Sequence, residues 1–333
     1  MNTIGHFFRF TSFGESHGPA VGGVIDGMPA GLNVNISAIQ AALDRRKPGS
    51  TPGSTSRREP DRMRILSGVF EGRTTGTPLA FIIDNTDARS SDYDAMRDQL
   101  RPGHADATYL LKYGMRDHRG GGRASARTTA AIVAAGALAA TLLEHYGITI
   151  KAEICRIGSA THPQEMEAEI EKARACGDTV GGIVGCTVHG CPAGLGEPVF
   201  GKLQARLAMA MMSINAAKGF EYGTGFASAG MSGSDALDHP TAFDTALHTE
   251  RNICGGILGG VSTGEDIVMR VAFKPIATMM RPIETIDTDG HPCTIQPKGR
   301  HDVCAVPRAV PVVEAMAALV IADALLASRL SRV

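Results

Sequence analysis

The chain of 333 residues has no tryptophan, five tyrosines and only 5% aromatic residues. Such a composition points away from the aromatic platforms on which single-stranded nucleic acids stack. Excess charge of one sign is also missing: 33 Lys and Arg against 34 Asp and Glu leave a formal charge of −1. No global field draws the chain to nucleic acid or to a charged membrane. Its seven cysteines are odd in number and contain no CxxC pair, which fits reduced thiols in the cytoplasm. Cys186 and Cys191 near His189 lack zinc-ligand spacing, so no metal is expected. The notable uncharged run, residues 128–143, is 16 residues long and rich in small side chains. That is short of the ~20 residues a membrane span needs, and a buried core helix explains it better. The N-terminal MNTIGHFFRF lacks a secretory-signal layout. Neither GxGxxG nor a Walker motif occurs, so a dinucleotide fold is not supported.

What the chain does have is glycine, 40 residues of it, and one concentrated basic segment. Residues 101–127, RPGHADATYLLKYGMRDHRGGGRASAR, carry five arginines, a lysine and two histidines against two aspartates. The final glycines run into the apolar segment 128–143, which reads as a helix. A glycine turn feeding a helix start offers unmet backbone N–H groups and a positive dipole end. With Arg119, Arg123 and Arg127 around it and Ser125 as N-cap, that point reads as a phosphate or carboxylate pocket. A solvated basic loop is the plain alternative.

Two halves echo each other. VIDGMPAGL, ending at Leu32, recurs as VHGCPAGL, ending at Leu195, and each precedes a helical run, from Ala38 and from Lys202. GVFEGRTTG from Gly68 is answered by GGILGGVSTG from Gly255, and each half closes on a long apolar helix, at 128–145 and 310–328. Several echoes in one order argue for a duplication, with halves at about 1–150 and 180–333 of a single domain 1–333. Segments such as PLAFIIDN and DIVMRVAF are short and β-rich, whereas the helices are rich in Ala, Leu and Met. The expected fold class is α+β: an internally duplicated β-α-β sandwich with central long helices between two mainly antiparallel sheets. Residues 161–177 read as an exposed, charge-alternating helix. Residues 45–61, RRKPGSTPGSTSRREPD, read as a mobile basic loop, because little in them is apolar enough to anchor.

Three groups of residues could carry chemistry. His17 in FGESHG lies among small and polar residues, with Ser16 beside it as relay or turn cap. His104 in RPGHAD leads the basic segment. KGRHDVC, residues 298–304, places Arg300 and Asp302 two apart, so an extended segment puts them on one face; a local ion pair is the alternative. Asn215 and Lys218 follow a methionine-rich run, and the glycines of NICGGILGGVSTG would let a flat ligand approach the backbone, or serve tight-turn packing.

Taken together, FGESHG, DRRKPG, SRREPD, SGVFEGRTTGTP, NTDARSSDY, RPGHAD, KYGMRDHRGGGRASAR, GEPVFGKL, SINAAKGFEYG, GGILGGVSTG and KGRHD resemble the chorismate synthase family along nearly the whole chain. The likeness is weakest between residues 151 and 179. The resemblance implies a lyase that converts 5-enolpyruvylshikimate 3-phosphate into chorismate and phosphate by anti-1,4-elimination with reduced FMN. It implies Arg46, Arg101, Arg127 and Arg300 as partners of the substrate's acidic groups. His17 then protonates the departing phosphate, His104 manages flavin protonation, and Asp302 with Ser16 and Ser125 forms a relay. The flavin contacts implied are Arg123, Ala124, Ser125, Asn215, Ala216, Gly259, Arg300 and the run Lys274, Pro275, Ile276, Ala277 and Thr278. Also implied are a homotetramer, an external flavin reductase supplying the reduced cofactor, and a loop contact with substrate or nicotinamide nucleotide. The chain departs from the family at Pro52, where a basic residue is common, at Ala124 for serine, and at Thr128 for glutamate.

Overall fold

The computed structural model describes residues 1–47, 59–87, 93, 96–296 and 302–331. Its frame is two antiparallel sheets. The first runs in the order β1 (Thr3–Ile4), β2 (Arg9–Gly14), β3 (Ala20–Asp26), β7 (Leu79–Asp84), β4 (Met63–Ile65). The second runs β10 (Ala217–Tyr222), β15 (Ile267–Phe273), β9 (Gly182–His189), β8 (Thr149–Ile157). Strand alternation sets one face of each inward: Leu79, Phe81 and Ile83 of β7, and Ile267, Met269 and Val271 of β15, are all buried. Four small hairpins complete the strands: β5 (Val69–Phe70) with β6 (Arg73–Thr74), β11 (Pro240–Phe243) with β12 (Leu247–Thr249), β13 (Ile257–Leu258) with β14 (Val261–Ser262), and β16 (Ile283–Ile286) with β17 (Pro292–Ile295).

The helices are α1 (Ile36–Arg46), α2 (Asp106–Tyr113), α3 (Thr129–His145), α4 (Pro163–Ala175), α5 (Leu203–Met212) and α6 (Val306–Ser328). α3 and α6 pack directly on each other, with α1 and α5 beside them. Both are apolar nearly all round, the signature of a helix with no water-facing side. Counted with the 3₁₀ turn before α3, as Ala126–His145, and as Val306–Ser328, they are long and apolar enough to cross a membrane, yet most of each is buried inside this molecule. The sequence-level reading of an α+β sandwich around long central helices therefore holds. α6 starts earlier than its apolar run, at Val306, because Pro307 occupies a first-turn position that tolerates proline. α4 carries the charge-alternating segment on the outside, burying only Met166 and Ile170.

The repeated PAGL turns fold alike. Gly31 N–H donates to Thr74 O at 2.8 Å and Thr74 Oγ1 donates to Pro29 O at 2.6 Å. Gly194 N–H donates to Ser262 O at 2.9 Å and Ser262 Oγ donates to Pro192 O at 2.6 Å. In both places the turn clasps the hairpin that the second echo forms.

One buried carboxylate ties the chain's ends together. Asp323 of α6 accepts the backbone N–H groups of His6, Phe7 and Phe8 at 2.9, 2.6 and 2.8 Å, and pairs with Arg206 of α5.

The closeness of α3 to α6 depends on Gly136. A Cβ built there would lie 2.3 Å from both Cα and Cβ of Ala315. Alanine would gain up to ~1 kcal/mol of helix propensity, but overpacking a tight contact costs ~1–3 kcal/mol. Gly136→Ala is therefore expected to destabilise the protein, seen as a lower urea midpoint; an unchanged or higher midpoint would show that the helices can part without loss.

Candidate active site

A cavity of about 500 Å³ opens between the glycine turn before α3, residues 101–106, residues 274–278 and the start of α6. That size lies within the ~300–1,000 Å³ typical of small-molecule sites. His17, Arg46, Arg101, His104, Ala124, Ser125, Arg127, Asn215, Ala216, Asp302 and all of residues 274–278 line it. Most of the residues singled out in sequence thus meet in one place, although they come from both halves of the chain.

His17 sits in the turn between β2 and β3. Buried Ser16 places its Oγ 3.1 Å from His17 Nδ1, and the Tyr93 ring meets the imidazole edge-on at 5.1 Å. The turn is stapled by Asn85, whose Nδ2 donates to the carbonyls of Glu15 and Gly18 at 2.9 and 2.7 Å. Gly120 presses on the ring: a Cβ there would stand 2.2 Å from His17 Cε1.

His104 is held from the other half. Its Nε2 lies 3.0 Å from Thr278 Oγ1, and Lys274 Nζ donates to the neighbouring carbonyl of Gly103 at 2.8 Å. Gly103 has φ +72 and lies against Ala277, which a Cβ would approach to 2.9 Å. On the facing wall Asn215 Nδ2 donates to Ala124 O at 2.8 Å.

Four largely buried arginines of the lining are shared between two carboxylates, two to each. Asp61 takes Arg46 and Arg127, and Asp106 takes Arg101 and Arg116. Arg101 grips Asp106 bidentately, Nε to Oδ2 and Nη2 to Oδ1, both at 2.8 Å, the strong planar geometry. Burial would raise the Asp61 carboxyl, but the charges of Arg46 and Arg127 outweigh it and hold it below the usual carboxylate range. Asp106 follows the same balance, with Arg101 as the main opposing partner. Burial brings the Arg46 guanidinium down to about 10, so it stays charged at neutral pH. Each trio of two guanidiniums and one carboxylate carries one net positive charge.

Several sequence expectations need correction. Arg119 is half-exposed and bidentate to Asp117, at 2.8 and 2.9 Å. Arg123 turns toward β2, donating to Gly14 O at 2.9 Å and to Ser12 O at 3.3 Å. Of the three arginines expected around the glycine turn, only Arg127 lines the cavity. Gly259 lies in the β13–β14 hairpin turn, outside the cavity wall formed by the described residues. Ser125 caps the short 3₁₀ turn Ala126–Thr128, accepting from Arg127 N–H at 3.3 Å, rather than α3 itself. Asp302 pairs with Arg308, whose Nε donates to Arg46 O at 3.0 Å. Of residues 45–61, residues 48–58 lie outside the described residues; at the far end Asp61 is fully buried, and Glu59 accepts from Thr86 and Asp87 at 2.8–3.2 Å. Pro52 and Arg300 lie outside the described residues. Sequence reasoning missed Asp61, Asn85, Asp106 and Arg308 as members of the site.

A family model described as chorismate synthase matches residues 8–326. A chorismate synthase of Syntrophus aciditrophicus is 52% identical, covering 98% of this chain and 97% of that protein. One of Porphyromonas gingivalis is 51% identical over 100% of this chain and 97% of its own. A crystal structure of chorismate synthase superposes with a TM-score of 0.76 at 30% identity, covering 97% of this chain and 93% of that one. The chain belongs to the chorismate synthase family. Chorismate synthases are carbon–oxygen lyases of the shikimate pathway that turn 5-enolpyruvylshikimate 3-phosphate into chorismate and phosphate, and this chain is one of them.

Two expectations follow from the geometry. Asp106 has a depressed folded pKa, so its contribution to stability is complete above the unfolded value of ~3.9 and drains as pH falls through the lower folded value. Urea midpoints should fall more steeply below about pH 4 in the wild type than in Asp106→Asn; parallel curves would show that the pair adds nothing. Gly120→Ala should displace the His17 ring and lower phosphate release at least roughly tenfold, since a ~1 Å misplacement can cost 10²-fold. Unaltered turnover would mean that the turn yields freely.

Proposed function

We propose that this cavity holds reduced FMN together with 5-enolpyruvylshikimate 3-phosphate, and that the two histidines flanking it manage the protons of the elimination. The observation that carries the reading is the meeting of His17 and His104 with Arg46, Arg101 and Arg127 around one cavity. The substrate's two carboxylates and its phosphate, worth nearly two charges, need several guanidiniums. Two net-positive trios answer that need without leaving buried cations uncompensated.

The lining also fits a flavin. Gly103, Gly121, Ala124, Ala126, Ala216 and Ala277 make a wall of small side chains that a flat ring system can approach closely. Pro275, Ile276 and Thr278 would border the ring, with Asn215 and Ser125 as polar neighbours and Lys274 facing an anionic group. Reduced flavin, when bound, would supply reversible one-electron chemistry for an elimination with no net redox change, which no side chain can supply.

The protein's own part is acid–base work and orientation. His17, set by Ser16 and Asn85, delivers a proton to the departing phosphate. His104, set by Thr278, holds the proton balance of the bound cofactor. Asp302, paired with Arg308, belongs to the relay with Ser16 and Ser125, and Arg300 joins the substrate's acidic partners. The proposed setting is a cytoplasmic homotetramer of single-domain, internally duplicated chains, supplied with reduced FMN by a separate reductase. Exposed Phe200, Phe226 and Phe243 support association between copies.

Anaerobic incubation with photoreduced FMN and the enolpyruvyl substrate tests the reading. Phosphate release and chorismate absorbance without net flavin oxidation are expected. His17→Ala and His104→Ala should each lower turnover by ~10²–10⁴-fold. Near wild-type rates in both would remove the histidines from the mechanism, and NAD(P)H consumption independent of substrate would point to an oxidoreductase instead.

A further inference from the structure

Beneath the cavity lies a carboxylate that no step above uses. Asp61 is fully buried and non-glycine, yet its φ is +48, in the left-handed region that most side chains avoid. Its Oδ2 accepts from Arg46 Nη2 at 2.7 Å, and its Oδ1 takes Nη1 of Arg127. The two guanidiniums arrive from separate elements, the last residue of α1 and the turn before α3. Both are pinned elsewhere as well. Arg46 Nη1 reaches Thr129 Oγ1 at 3.3 Å, and Arg127 donates from Nε to Asn85 Oδ1 at 2.7 Å and from Nη2 to Asp84 O at 3.1 Å. Each guanidinium has five N–H donors, so donors remain on both after these contacts. Arg46 Nε, buried, has no partner among the described residues.

A buried ion pair can serve folding alone. This one has both cations in the cavity wall, and its backbone is bent into an unfavourable region to bring the carboxylate between them. We propose that Asp61 is a positioning residue for the polyanionic substrate: it holds Arg46 and Arg127 side by side, so that their remaining donors are preset at the cavity floor before substrate arrives. The proposal rests on the reading of the cavity as the substrate site. Fixing the donors during folding removes an ordering penalty from binding.

Positioning and plain charge predict opposite signs. If net charge ruled, removing the carboxylate would leave the floor more positive and tighten anion binding. If Asp61 positions, binding weakens. Asp61→Asn removes the charge at constant size, and Asp61→Glu keeps the charge while displacing it by one methylene. We expect both variants to raise the KM for 5-enolpyruvylshikimate 3-phosphate about tenfold, the effect of one lost well-placed interaction, with kcat falling less than about threefold. Calorimetric titration with inorganic phosphate should weaken in the same order, independently of turnover. A KM that is unchanged or lower in Asp61→Asn, or unchanged in Asp61→Glu, overturns the proposal even where the melting temperature falls. If Asp61→Asn does not fold, Asp61→Glu decides; failure of both to fold makes Asp61 a folding determinant only and also overturns it. A wild-type protein that releases no phosphate from the substrate sinks the reading of the cavity instead, and the phosphate titrations still decide the role of Asp61.

Discussion

A guanidinium taken out of water loses several kcal/mol of hydration even after the surroundings relax, and besides Arg308, which pairs with Asp302, this cavity draws four of them into its wall. Full compensation would need four carboxylates, and the resulting floor would repel or ignore an anion. The chain supplies two, Asp61 and Asp106, each shared by two arginines. That ratio is the constraint from which the site's other features follow. It makes the cations tolerable inside the protein while leaving net positive charge for a ligand. It also fixes where the surrounding backbone must run, because each carboxylate has to reach two elements at once.

The same economy of contacts explains why the site needs both sheets. The segment that carries His104 is short and irregular and has no sheet of its own. Residues 274–278, leaving the end of β15, supply what it lacks: a hydroxyl for the ring nitrogen, an ammonium for a carbonyl, and a methyl group against Gly103. His17 depends on Asn85, which leaves β7 and also takes the Nε–H of Arg127. Acid–base groups and anion-binding groups are therefore linked through single polar side chains, and a shift in one is felt by the other.

Much of the frame was legible in the sequence because it is written in apolar patterning. The runs at 128–143 and 310–328 announce buried helices, and the two PAGL turns, alike in sequence, make matching hydrogen bonds. Arg101, His17 and His104 were legible too, through glycine and charge clustering. What failed was direction and anchoring by charge. Composition counts Arg119, Arg123 and Arg127 alike, yet in an irregular turn neighbouring residues point different ways, so only Arg127 reaches the cavity. The last residues of the stretch ending at Asp61 are held by Glu59 and Asp61, anchors that weighing apolar residues alone overlooks. No local signal tells a buried, shared carboxylate from a solvated one; its partners lie up to 66 residues away.

The knot at Asp323 has a bearing on how such a chain comes to be made. Three consecutive amide groups near the amino terminus find their acceptor 315 to 317 residues downstream. During synthesis from the ribosome, the opening segment of the first sheet must wait, with those donors facing water, until α6 has been made. Long-separated contacts of this kind slow the final closure, and they make completion of the carboxyl-terminal helix the event that seals the newborn molecule.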